Sequence, residues 1–197
     1  MTALEPKTRR VVTGLGVDAY LRQWGYPKHK LQSLDWNEET DLGEGLTVHA
    51  LPARHYTRRL FRSNQTLWVS YALIAKHRQL YFGGDSGYGP HFADIGNRFG
   101  SFDFVALDCG QYSERWKYIH MTPEQAAQAA TELHGSALLP QHIGRFSISD
   151  HAWYEPFYRI QDASKDQPFQ LLTPVIGEVL KLDALPPEFT EWWKSGV

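Results

Sequence analysis

The feature that most constrains this chain is a succession of short apolar runs, rich in β-branched and aromatic residues, with helical segments set between the later ones. The runs are Val11–Val12, Leu46–Leu51, Leu67–Ala75, Leu80–Phe82, Phe102–Leu107 and Ala137–Leu139. Their length and composition predict buried strands. Phe169–Leu172 and Val175–Leu182 predict a late hairpin around Thr173–Pro174. Pro90 to Phe99 predicts a short helix. The clearest helix start is Thr122, with Pro123 in the first turn and Gln125 placed to complete a capping box; Gly135 stops that helix. A further helix is expected from about Asp150, with Trp153, Phe157 and Ile160 on one face. A short aromatic helix is expected over Pro187 to Lys194. Strand–helix alternation after a β-rich opening argues for α/β layering.

Composition bounds the function. At 197 residues, 42% hydrophobic and 21% charged, the chain is expected to build one domain over residues 1–197 with a buried core. A formal charge of −2 gives no general attraction for nucleic acid, so no nucleic-acid partner is expected. Cys109 is the only cysteine, which excludes an internal disulfide. No apolar run approaches the roughly 18–20 residues of a membrane span. The polar, basic stretch Met1 to Arg10 does not have the pattern of a secretory signal, and a cytoplasmic location is the expectation.

Three polar residues follow three of the strand-like runs. His55 comes after the run ending at Leu51. Asp85 sits in Gly83-Gly84-Asp85-Ser86-Gly87, just past Leu80–Phe82. His142 sits in Leu139-Pro140-Gln141-His142. In layered α/β folds, loops leaving neighbouring strand ends meet in one crevice. Imidazole nitrogen and carboxylate oxygen are ligands for zinc, iron and manganese, and a carboxylate has two oxygens with which to bridge two ions. The glycines around Asp85 let the backbone turn sharply. Each residue also has a plainer reading: a lone histidine after a strand is usually a hydrogen-bonded loop residue, and Gly-Gly-Asp is commonly a turn. Spacing alone leaves both readings open.

From roughly Thr8 to Ile160 the motifs come in a distinctive order. They are Leu51-Pro52-Ala53-Arg54-His55-Tyr56-Thr57-Arg58-Arg59, Leu67-Trp68-Val69-Ser70-Tyr71, Tyr81-Phe82-Gly83-Gly84-Asp85-Ser86-Gly87-Tyr88 and Phe92-Ala93-Asp94-Ile95-Gly96. Then follow Tyr118-Ile119-His120-Met121-Thr122-Pro123-Glu124-Gln125-Ala126 and Gln141-His142-Ile143-Gly144. Taken together, this stretch resembles the metallo-β-lactamase superfamily, and within it the N-acylphosphatidylethanolamine-hydrolysing phospholipase D branch. Upstream, Gly14-Leu15-Gly16-Val17 and Leu34-Asp35-Trp36 resemble the segment before the third metal histidine of that branch.

The resemblance implies the C-terminal half of an αββα sandwich, with a mixed sheet and flanking helices. It implies His55, Asp85 and His142 as metal ligands, Asp85 bridging, and two zinc ions in the complete family, with iron or manganese as alternatives. It implies Asp85 and His120 as catalytic residues, His120 beside the reacting phosphate. The implied reaction is hydrolysis of a phosphodiester or related ester in a small or phospholipid-like substrate. The family's His-x-His-x-Asp-His cluster has no counterpart in this sequence. The expectation is therefore a truncated or split product, inactive alone, that needs a complementary N-terminal chain or an oligomer. A non-catalytic fragment that binds metal weakly or joins a partner chain is the alternative, with a lactonase or nuclease of the same superfamily behind it.

Other residues carry lesser expectations. Arg58 and Arg59 are suited to an anionic substrate, although a solvated basic loop is the plainer reading. His120 lies two residues before the N-cap Thr122, where a helix start favours anions. Arg145 is a candidate for the same crevice, and Asp108 is a candidate to orient a metal histidine. Cys109 reads as a small buried residue. Trp192 and Trp193 fit either a membrane interface or closure onto the core. His77, His91, His134 and His151 lack convergent partners and read as surface or structural.

Overall fold

The computed structural model describes residues 2–59 and 62–196, without the side chains of Arg59 and Arg62. After a 3-10 helix over Thr2–Lys7 comes a strand–helix–strand unit: β1 (Val11–Gly14), α1 (Val17–Gln23) and β2 (Leu31–Leu34). β1 and β2 pair in parallel, Val11 opposite Leu31. Then come β3 (Glu39–Asp41), β4 (Thr47–Pro52), the short ribbon β5 (Arg58–Arg59) and β6 (Arg62–Ser63), β7 (Val69–Ala75) and β8 (Arg78–Phe82). The second half alternates α2 (His91–Phe99), β9 (Phe104–Asp108), α3 (Pro123–Glu132), β10 (Ala137–Gln141), α4 (Glu155–Ala163) and β11 (Gln170–Leu171).

Seven strands form one sheet in the order β11-β10-β9-β8-β7-β4-β3. β3, β4, β7 and β8 pair antiparallel. β8 to β11 pair in parallel. The sheet is therefore mixed, and the C-terminal ends of β4, β8, β9 and β10 all reach the same edge. The first unit is fastened beside β7. The Leu67 N–H donates to Leu15 O, and the Trp36 indole N–H donates to Trp68 O at 2.6 Å.

The period-2 alternation of strands separates two cores. On one face Val105, Leu107, Leu138 and Tyr81 pack under α2, α3 and α4 through Phe92, Ala126, Ala130 and Ile160. On the other, Phe104, Ala106, Ala137 and Leu172 are covered by Leu180, Leu182, Leu185 and Phe189. β9 is buried along its whole length, as expected for a parallel strand covered on both faces. Each fully buried large apolar side chain stabilises the fold by about 1.5–3 kcal/mol. Gly96 lets α2 approach α3, since a Cβ there would lie 2.0 Å from Glu132 O.

The capping box forms as predicted: Thr122 accepts from the Gln125 N–H, and Gln125 reaches back to the Thr122 N–H. Several predicted elements differ. Val175–Leu182 is not a strand. The Glu178 N–H donates to Val175 O, Gly177 is left-handed at φ 93, and Val179 points outward, so a turn interrupts pairing. Only Gln170–Leu171 of the expected hairpin joins the sheet, parallel to β10. The helix placed near Asp150 starts at Glu155. The C-terminal aromatic helix is a 3-10 turn over Trp192–Gly196. Trp193 is buried there, stacked on Phe157 with centroids 4.7 Å apart, so this indole closes onto the core. α1, β2 and β3 lacked a strong enough apolar pattern to be predicted.

Candidate metal centre

Shared strand polarity gathers the predicted residues. β4, β8, β9 and β10 end at one edge of the sheet, and His55, Asp85, Asp108 and His142 lie at or just beyond those ends. His142 Nε2 is 4.0 Å from Asp85 Oδ2. The His120 ring sits between the other two histidines, its centroid 5.2 Å from that of His55 and 5.2 Å from that of His142. His120 is buried, while the Asp85 side chain is about half-exposed at 51%.

The loops are held to one another by hydrogen bonds between segments distant in sequence. Ser86, buried beside Asp85, accepts from the Arg54 N–H at 2.9 Å, and the Gly87 N–H donates to Arg54 O at 2.8 Å. These bonds tie the His55 loop to the Asp85 loop. A Cβ on Gly87 would lie 2.1 Å from Tyr118 O, so glycine is needed where the His120 segment crosses. Ser86 was not singled out from the sequence; its place between glycines after a strand was the available signal.

The imidazoles are oriented. His55 Nδ1 is 2.7 Å from Tyr56 O, which makes Nδ1 the proton-bearing nitrogen and leaves a lone pair on Nε2. That Nε2 is buried and without a hydrogen-bond partner. His120 Nδ1 is 2.7 Å from Asp108 Oδ2. Asp108 is fully buried and also accepts from the N–H groups of Ser86 at 3.3 Å and Gly110 at 3.1 Å. Burial pushes the Asp108 carboxyl above its ordinary range, and His120 opposes that shift. Asp108 thus orients His120, rather than one of the predicted metal ligands.

The donor set suits zinc chemically: imidazoles and a carboxylate, with one imidazole nitrogen buried and unpartnered. Among the described residues, however, no three His, Cys, Asp or Glu side chains stand close enough to hold one ion. A cavity of about 680 Å³ opens beside His55 and Asp85. Its wall runs from Tyr56 and Arg58 to the apolar Val17, Leu21 and Trp24 of the first unit. Arg145 is exposed. Cys109 is buried, and burial pushes its thiol well above the usual range, which fits a packed residue. His134 Nδ1 approaches Gly100 O, and His151 accepts from the Gln111 N–H at 3.0 Å. The side chain of Arg59 lies outside the described residues.

The mixed sheet with flanking helices, carrying histidines and aspartates gathered at one strand-end edge, is the α/β layering of the metallo-β-lactamase fold. The chain belongs to the beta-lactamase superfamily domain family, whose model matches residues 1–143. It is 38% identical to an uncharacterised protein of Mycobacterium tuberculosis over 184 residues, covering 91% of this chain and 49% of that one. It is 28% identical to N-acyl-phosphatidylethanolamine-hydrolyzing phospholipase D 1 of Caenorhabditis elegans, covering 91% of this chain and 54% of that one. A solved metallo hydrolase from Ignicoccus hospitalis shares the fold at TM-score 0.64 and 17% identity, covering 83% of this chain and 64% of that one. The chain spans about half the length of these curated relatives. No helix among the described residues is long and apolar enough to cross a membrane.

Proposed function

We propose that this chain supplies His55, Asp85 and His142 as zinc ligands, and His120 as the substrate-facing group, of a hydrolase acting on phosphodiester or related ester bonds. The observation that carries the reading is the buried, unpartnered His55 Nε2 on the edge that also bears Asp85, His142 and His120. Zinc bound there would polarise the ester oxygen and acidify water. The protein's own part is positional. Asp108 fixes Nδ1 of His120 as the proton-bearing nitrogen, and Nε2 is left to exchange a proton with a substrate oxygen. The cavity beside His55 sets apolar wall against polar edge, which suits a substrate with an apolar portion next to its ester, as in a phospholipid.

A second reading is a chain that binds metal without turnover. It is favoured by the 4.0 Å gap between His142 and Asp85 and the lack of a three-ligand cluster among the described residues. A catalytic zinc normally takes three protein ligands. Zinc content and hydrolysis of bis-p-nitrophenyl phosphate separate the two. They are measured for this chain alone and co-expressed with the part of the longer Mycobacterium tuberculosis relative that this chain does not match. Hydrolysis that appears on co-expression and is lost in Asp85→Ala supports the hydrolase. Zinc uptake without hydrolysis of this diester supports the second reading.

A further inference from the structure

Two loops leave the same sheet edge side by side: residues 109–116 after β9 and residues 142–151 after β10. Some of their contacts lie at the periphery, and Ser149 Oγ donates to Tyr112 O. Ser113 and Arg115 bond to Asp150 at the exposed rim. Gln111 is different, because its side chain is buried between the loops at 3% exposure. Its Nε2 donates to Phe146 O at 3.0 Å and faces His142 O at 3.5 Å, and its Oε1 accepts from the Ile148 N–H at 2.8 Å. Its backbone N–H donates to His151 Nε2 at 3.0 Å. One residue therefore satisfies a carbonyl, an amide and a ring nitrogen of the neighbouring loop.

Only a primary amide of this length carries a donor and an acceptor at the same end. Glutamate has the acceptors without the N–H, and methionine has the length with neither. The backbone on both sides is correspondingly tight. Gln111 is held at φ 58 and His142 at φ 63, both in the left-handed region. A Cβ on the intervening neighbour Gly110 would lie 2.3 Å from His142 O. Side chains without a β-branch tolerate such a conformation when surrounding bonds over-determine it.

We infer that Gln111 is a positioning residue of the candidate metal centre: its buried amide clamps the 142–148 loop and so holds His142 in place. The effect on zinc rests on the metal-ligand reading of His142 above; the clamp itself does not. The loop has no regular hydrogen-bond ladder of its own, so this cross-bond replaces one.

NMR of the metal-free chain tests the clamp directly. The Ile148 amide should exchange slowly and show a scalar coupling through its hydrogen bond to the Gln111 side-chain carbonyl; a fast-exchanging Ile148 without that coupling overturns the inference. In Gln111→Met, which removes donor and acceptor together, Ile148 should lose protection by about tenfold or more, and the ring signals of His142 should shift while those of His55 stay; Gln111→Glu keeps the acceptor for Ile148 and should lose only the bond to Phe146 O. Unchanged His142 signals in a folded variant overturn the positioning role. Titration with zinc then adds the functional arm, with affinity lowered about tenfold in Gln111→Met, as for other residues that orient a ligand. If the unsubstituted chain takes up no zinc, the metal reading fails, and the exchange and ring-signal measurements still decide the clamp.

Discussion

His120 Nδ1 and Asp108 Oδ2 meet at 2.7 Å with both side chains buried, twelve residues apart in sequence and on different segments of the sheet edge. The pair is the most enclosed polar contact of the site. Asp108 brings a carboxylate where solvent cannot reach it, and His120 is the polar side chain that faces it. His120→Ala therefore leaves Asp108 buried with its two backbone donors alone. A loss of about 3–5 kcal/mol is expected, as for other broken buried pairs. Asp108→Asn combined with His120→Ala should recover part of that loss, because the buried charge is gone. Urea unfolding of the two single variants and the double variant measures this coupling. Additive losses would show that the pair does not act as a unit.

Asp85 offers the opposite case. Its side chain is about half-exposed, so Asp85→Ala should change stability by only about 0.5 kcal/mol either way. Zinc uptake should fall by about tenfold or more, since a ligand is removed and not merely its supporting partner. Equilibrium dialysis against zinc, alongside a thermal melt, gives both numbers. Equal zinc uptake by the variant would remove Asp85 from the ligand set.

Gly110 predicts a backbone effect. A Cβ there meets His142 O at 2.3 Å and Ile143 Cγ2 at 2.6 Å. The carbonyl cannot swing away like the end of a flexible side chain, so Gly110→Ala must move the loop carrying His142. A destabilisation of about 1–3 kcal/mol is expected, together with weaker zinc uptake. A variant as stable as the original chain, by chemical denaturation, would contradict this.

His91 predicts a pH dependence away from the centre. Burial, reinforced by Arg54, lowers its pKa from 6.5 to about 4. Its Nε2 is buried without a partner, so the folded state prefers the neutral ring. The unfolded chain takes up a proton near 6.5 while the folded chain resists it. The stabilising contribution is thus complete above that value and is lost as pH falls toward about 4. His91→Phe should flatten this part of the stability profile, read as urea midpoints across the range. An unchanged slope would assign the acid sensitivity to other groups.

Local chemistry was legible where it depends on neighbours in sequence. Thr122, Pro123 and Gln125 specify a helix start within four residues, and the structure shows that capping box intact. The apolar runs that become β4, β7, β8, β9 and β10 were readable because burial on a pleated strand needs no distant information. The run Val175–Leu182 misled for the same reason. Its composition suits a strand, yet Gly177 and the turn at Glu178 divert it, and its leucines cover the second core instead of pairing.

By itself the sequence determined an α/β fold, the capped helix α3, and the polar residues His55, Asp85 and His142 that follow three strands. Tertiary structure alone decided that those strands end at one edge, because the order β10-β9-β8-β7-β4 and the direction of each pairing are set by contacts between segments far apart in the chain. It also decided that Asp108 belongs to His120, and that Gln111 reaches Phe146 and Ile148 across 35 and 37 residues. Propensity and capping act over a few residues, whereas a buried hydrogen bond is specified only once two strands have delivered both of its partners to the same place.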